Sequence, residues 1–168
     1  CSDWLVSSID RLLDAPLDAI ILTEDYADQR GMVFGLERYR EFFVPRWRRV
    51  FEHIHKAGAL VVLHVCGNAE PALRDLISIG LDCLESVQPE AIDPYHAKRE
   101  YGRELRFWGG IGVQKLMPFG TPDEVRREVG RAREELGRGG GFILNTAKPI
   151  ADPVPVENAV AYLEAAME

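Results

Sequence analysis

No apolar run in this sequence approaches the ~18 residues of a membrane-spanning helix, and no secretory leader pattern opens it, so neither a membrane span nor secretion is expected. Cysteine is scarce. The three present, Cys1, Cys66 and Cys83, are odd in number and scattered, which argues against a disulfide framework and fits a reducing cytoplasm. Positive charge is in deficit as well: the formal net charge is −7, and the Arg126-Arg127 and Arg46 to Arg49 patches are interleaved with acids or apolar residues. That pattern belongs to solvated helix faces and leaves no basic footprint for nucleic acid. Internal repeats and low-complexity linkers are absent too. So is a methionine at position 1, which implies a processed start or an excerpt of something longer.

What is there reads as a soluble globular chain of 168 residues, long enough for a sizeable core and expected to form one domain over 1–168. Leu60 to Val65 is a continuous apolar run rich in β-branched residues, ended by Gly67 and Asn68. It reads as a strand buried on both faces, the kind found in parallel α/β sheets. Side chains two apart on a strand point the same way, so His64 and Cys66 project together from its C-terminal end. Parallel α/β folds do their chemistry there. An imidazole beside a thiol suits a borderline-soft cation such as zinc, and equally a strand-end histidine next to a small buried cysteine.

Before this strand, Leu5, Ile9, Leu12 and Leu13 lie at helical spacing behind a Ser/Asp cap, and Pro16 ends that helix. Ala19 to Thr23 reads as a strand running into Glu24-Asp25, two adjacent acids of which one faces the sheet interior and the other the helices. The long loop from Tyr26 to Gly35 carries Gln29 and Arg30, polar groups able to reach over a pocket. Two tandem helices follow, Leu36 to Phe43 and Pro45 to Ala57. Within the second, His53 and His55 cannot face the same way and are expected to be structural.

After Asn68 the pattern continues as a helix (71–79), a strand (83–87), a helix capped by Asp93 and running to Tyr101, and a strand (105–111). The Gly109-Gly110 pair in that strand suggests close approach of backbone or ligand. Thr121-Pro-Asp-Glu124 has the form of a capping box and opens a helix to about Leu136. Phe142 to Thr146 is a last strand tipped by Asn145, Thr146 and Lys148, and Val156 to Met167 is a closing helix. Five strand-helix units mean an α/β fold with a parallel sheet and right-handed crossovers. A closed (β/α)8 barrel takes ~250 residues, and at least ~200. Five units fall short of closure, so the edge strands and the inner faces around Val62 and Leu22 are expected to meet water, and self-association to cover them.

The succession I-L-T-E-D-Y-A-D-Q-R-G, P-R-W-R-R-V-F-E-H-I-H-K-A-G, H-V-C-G-N, V-Q-P, K-R-E-Y-G, F-W-G-G-I, F-G-T-P-D-E-V and G-G-G-F-I-L-N resembles the uroporphyrinogen decarboxylase superfamily, most of all its cobalamin-dependent methyltransferase branch. The likeness is collinear over nearly the whole chain. It corresponds to the C-terminal half of that family's (β/α)8 barrel, the fourth strand to the eighth, so a partial barrel is expected. The resemblance implies that His64 and Cys66 bind zinc with a third ligand, often a cysteine on the last strand. Here Asn145-Thr146-Ala147-Lys148 stands there, with no cysteine. Cys83 begins its strand and lies roughly 15 Å away along it at ~3.3 Å per residue, which leaves Glu24, Asp25 and Glu85 to complete a site.

The same resemblance implies zinc-dependent methyl transfer between a corrinoid on a partner protein and a small thiol, methoxy or methylated substrate. Glu24 or Asp25 would be a ligand or an orienting catalytic group, and Gln29, Arg30, Gln114, Asn145 and Lys148 substrate contacts. A porphyrinogen decarboxylase (a lyase of heme biosynthesis) is the alternative enzyme. That activity rests on an aspartate and arginines of the family's N-terminal part, and its last-strand histidine aligns with Lys148. A noncatalytic half-barrel that needs a partner chain is the third alternative.

Overall fold

A computed structural model describes residues 2–168, leaving Cys1 and its expected free thiol outside the described residues. The chain falls into two compact units, Cys1–Leu84 and Glu85–Glu168. In the first, α1 (Ser2–Leu12) leads to β1 (Ala19–Glu24), β2 (Ala27–Asp28), β3 (Gly31–Met32), α2 (Leu36–Phe42), α3 (Val44–Lys56), β4 (Leu60–Val65), a 3-10 turn (Glu70–Ala72) and α4 (Leu73–Ser78). β1 and β4 pair in parallel, with Ile21 opposite Val62 and Thr23 opposite His64. β2 and β3 form a small antiparallel hairpin. The loop expected over 26–35 is therefore partly ordered, by a strand pair too short to leave an alternating pattern.

The helices over this first unit form where the apolar spacing says they should. Trp47, Val50, Phe51 and Ile54 recur along one face of α3 and are all buried, each such side chain contributing about 1.5–3 kcal/mol. Pro45 sits in the first turn of α3, where its missing N–H costs nothing. His53 and His55 take different partners: His53 meets Asp10 of α1 at 2.6 Å, and His55 meets Asp82 at 2.7 Å. The same Asp82 carboxylate accepts the Val61 N–H at 2.8 Å, at the start of β4.

The second unit takes in most of β5 (Cys83–Val87), then α5 (Pro94–Tyr101), β6 (Arg106–Ile111), a short α6 (Leu116–Phe119), α7 (Pro122–Glu135), β7 (Phe142–Thr146) and α8 (Val156–Met167). Asp93 caps α5 by accepting the Tyr95 and His96 N–H groups. Thr121 and Glu124 close the capping box of α7 reciprocally. β6 and β7 pair in parallel, Trp108 opposite Ile143. Gly109 does mark a close approach: a Cβ there would lie 2.8 Å from the Val87 backbone nitrogen of β5. Ile111, Val125, Val129 and Ala161 form the centre of this unit's core.

The five longer strands make one sheet in the order β1-β4-β5-β6-β7. The expectation that Val62 and Leu22 meet water is not met, since each is only 6% exposed. Leu22 points to the helix side of β1, and Val62 belongs to β4, an interior strand of the sheet. The exposed apolar side chains on these strands are Ile21, Leu60 and Ile143, at 51%, 43% and 51%.

Asn158 is 2% exposed, and its amide donates to the Met117 and Gly120 carbonyls, both at 2.8 Å. Asn158→Ala would orphan both carbonyls. It is expected to cost about 2 kcal/mol, read as a lower urea midpoint; an unchanged midpoint would mean that water replaces the amide at no cost.

Candidate metal centre

The C-terminal ends of β1 and β4 carry the densest chemistry of the first unit. Alternation along β4 puts His64 and Cys66 on one face, and the imidazole Nε2 lies 3.1 Å from the Cys66 Sγ. The parallel register extends that face to β1. With Thr23 opposite His64 and Glu24 opposite Val65, Asp25 falls on the His64 side and Glu24 on the other. One ligand atom each from Asp25, His64 and Cys66 comes within 4.8 Å of the other two. Among the described residues neither Glu24, Glu85 nor Cys83 joins such a group.

Tetrahedral zinc, with bonds of ~2.0–2.3 Å, asks for about 3.3–3.8 Å between ligand atoms. The set meets that demand with small side-chain rotations, because Asp25 is exposed and the other two are half-buried. Imidazole, thiolate and carboxylate are also the donor types zinc takes. Three protein ligands leave a fourth direction for a substrate atom.

Glu24 has a different setting. It lines a cavity of about 610 Å³ with Leu22, Phe43 and Trp47 on the helix side. Burial, then the neighbouring Asp25 charge, raise its pKa above the ordinary carboxylate value. Next to it Tyr26 and Tyr39 pack with ring centroids 4.5 Å apart, and burial pushes both hydroxyls up.

Gln29 and Arg30 occupy the exposed tip of the β2–β3 hairpin, in a turn that Asp28 closes by accepting the Arg30 and Gly31 N–H groups at 2.7 and 3.1 Å. The other expected substrate contacts belong to the second unit, each just before or after the end of a strand. Asn145 is half-buried near the tip of β7 and accepts the Thr146 N–H through its own Oδ1 at 2.9 Å. Lys148 is exposed. Gln114 lies in the loop after β6, and its N–H and that of Lys115 donate to Glu90 Oε1 at 3.0 and 3.2 Å. Sequence reading missed Glu90, whose Q-P-E setting carries no pattern. A glycine at 112 was the available signal, since a Cβ there would collide with Glu90 Oε1.

A parallel sheet whose strands alternate with helices is that of part of a (β/α)8 barrel, and the ligand-type side chains lie at the carboxyl ends of two strands, the end where such barrels keep their active sites. The uroporphyrinogen decarboxylase (URO-D) profile matches residues 1–168, and the chain belongs to that family. It is 31% identical over 156 residues to a methylated-thiol–coenzyme M methyltransferase of Methanosarcina mazei, covering 93% of this chain and 40% of that protein. A methylcobamide:CoM methyltransferase of Methanosarcina barkeri is 26% identical, with 92% and 42% covered. A uroporphyrinogen decarboxylase of Hydrogenovibrio crunogenus is 24% identical, with 99% and 47% covered.

The solved structure of a methyltransferase from Methanosarcina mazei has the same fold, with a TM-score of 0.72 at 24% identity over 99% of this chain and 46% of that one. The chain thus spans less than half the length of the curated relatives it matches. Among the described residues no helix is long and apolar enough to cross a membrane.

The raised pKa of Glu24 has a defined sign. Its folded carboxyl keeps a proton to higher pH than the unfolded one, so stability is greatest below the ordinary carboxylate value and falls as pH rises through the raised value. Glu24→Gln is therefore expected to raise the urea midpoint at neutral pH and leave it unchanged in acid. Equal midpoints at both pH values would show that solvent offsets the burial.

Proposed function

We propose that this chain is the metal-carrying part of a zinc-dependent methyltransferase of the URO-D family. It would move a methyl group between a corrinoid on a partner protein and a small thiol, methoxy or methylated substrate. The observation that carries this reading is the convergence of Asp25, His64 and Cys66 at the carboxyl ends of β1 and β4. The two methyltransferase relatives, named for thiol and methylcobamide substrates, support it. Residues 1–168 are taken as the C-terminal part of one barrel domain, working in the cytoplasm.

In this reading His64 Nε2, Cys66 Sγ and the Asp25 carboxylate hold the zinc. When bound, the zinc supplies positive charge that favours the thiolate form of a substrate thiol or polarises a methylated sulfur or oxygen. Asp25 brings one negative charge and Cys66, as thiolate, another, so the loaded centre is close to neutral and tolerates an anionic substrate sulfur. Glu24 stays behind Asp25 as a neighbouring charge that shapes its carboxylate's surroundings. Gln29 and Arg30, on the hairpin that follows Asp25, are the substrate contacts nearest to it in the chain. Gln114, Asn145 and Lys148, at strand ends of the second unit, are candidate substrate contacts of that unit.

A decarboxylase is the second reading, favoured by decarboxylase relatives that align over 99% of the chain. Metal analysis of untagged protein separates the two. Zinc near one equivalent is expected, with demethylation of methylcobalamin by an added thiol. Cys66→Ser should lower zinc content at least tenfold and shift metal-free stability by less than about 1 kcal/mol. If it unfolds the protein and leaves the metal content unchanged, Cys66 is a core residue and the reading fails.

Self-association belongs to the same proposal. β1 and β7 end the sheet, each with an unpaired edge. Val156, Val160, Leu163 and Met167 form a second, exposed apolar stripe on α8. Light scattering is expected to show dimers or larger species; a monodisperse monomer would mean that the edges are tolerated as they are.

A further inference from the structure

We propose that the β2–β3 hairpin is a backbone clamp that sets the distance between the Asp25 and Cys66 ligands, which makes Gly67 and Asp28 positioning residues of the metal centre although neither belongs to its ligand group. The inference rests on the metal reading above and adds to it what holds the ligands in place.

Asp28 lies three residues after Asp25, and Gly67 one residue after Cys66. The two loops meet through their backbones. A Cβ on Gly67 would lie 2.6 Å from the Asp28 carbonyl carbon and oxygen and 2.8 Å from the Ala27 oxygen. The Asp28 carbonyl also accepts the Asn68 N–H at 2.7 Å. All three close neighbours of that Cβ are main-chain atoms, so no flexible side chain can yield.

Each side of the contact is anchored separately. Asp28 closes the hairpin turn with its own Oδ1. Tyr26 and Ala27, which lead into the hairpin, are buried at 2% and 6% exposure, Tyr26 against the rings of Tyr39 and Phe43. On the other side, Asn68 Oδ1 accepts the Glu70 N–H at 3.1 Å and starts the 3-10 turn. Gly67 itself has φ +92°, a conformation that side chains rarely adopt.

The magnitudes decide the consequence. A carbon contact relaxes to about 3.5 Å, so a methyl group at 67 opens the gap of 2.6 Å by close to 0.9 Å. Asp25 already uses a side-chain rotation to close a gap of up to 4.8 Å, so a further opening of that size takes its carboxylate out of reach of metal–ligand bonds that tolerate only ~0.2 Å. The hairpin side, which carries Asp25, must move away from the strand side, which carries His64 and Cys66.

Zinc affinity is measured on the 168-residue chain by competition with a chromophoric chelator, with circular dichroism to confirm folding. Gly67→Ala is expected to weaken zinc binding at least tenfold. Asp25→Ala on that background should add less than a twofold further loss, because the carboxylate is already out of reach. Zinc binding within twofold of the parent, or losses that multiply in the double variant, would overturn the clamp. If Gly67→Ala does not fold, Asp28→Ala carries the test: it frees the turn while keeping the backbone, and at least threefold weaker binding is expected, against none if the clamp is wrong. If the parent takes up no zinc, the metal reading itself has failed. The clamp is then judged by hydrogen exchange at the Asn68 amide, faster in Gly67→Ala if it exists and unchanged if it does not.

Discussion

The parallel pairing of β1 with β4 is the constraint on which the candidate centre depends. In a parallel pair, residues held opposite each other present their side chains to the same face, so placing Thr23 opposite His64 also decides where Glu24 and Asp25 point. A slip of one residue would exchange them. Asp25 would then enter the helix side and Glu24 would face His64. The register is held by the apolar alternation of Ile20 and Leu22, both buried against the helices, and by Asp82, which ties the first residues of β4 to His55 of α3. Packing at one end of the strands therefore chooses which carboxylate faces His64 at the other.

Two adjacent carboxylates with different surroundings follow from that choice. Asp25 stands in solvent next to an imidazole and a thiol, while Glu24 meets the aromatic wall of a cavity, where burial raises its pKa above the ordinary carboxylate value. The difference of one methylene between them matters less than the face each occupies. Beyond the ligands the chain uses main-chain contacts at glycine to bring loops close, at Gly67 against the hairpin and at Gly112 against Glu90. Both follow directly on the C-terminal ends of strands, where loops from neighbouring strands crowd together.

A chain matching less than half the length of its relatives still buries Trp47, Val50, Phe51 and Ile54 of α3 in its first unit and closes a core around Ile111, Val125 and Val129 in its second. What it leaves exposed is patterned. Ile21 and Ile143 sit on the strands at the two ends of the sheet, and α8 shows a stripe from Val156 to Met167 opposite the face that buries Ala161 and Ala165.

By itself the sequence determined the succession of elements. Period-2 and period-3.6 patterns, the Asp93 cap, the Thr121–Glu124 box and Pro45 are local signals whose physics lies within a few residues, and strands and helices form where those signals stand. It also determined that His64 and Cys66 share a face, since alternation along one strand needs no partner. Tertiary structure alone decided that Asp25 and not Glu24 joins them, because that depends on the register between strands 41 residues apart. It decided likewise that Val62 is sheltered while Ile21 is not, and that 27–32 folds as a hairpin against Gly67. Those outcomes come from which backbones lie side by side, and two-residue strands and a single glycine carry too little local pattern to announce it.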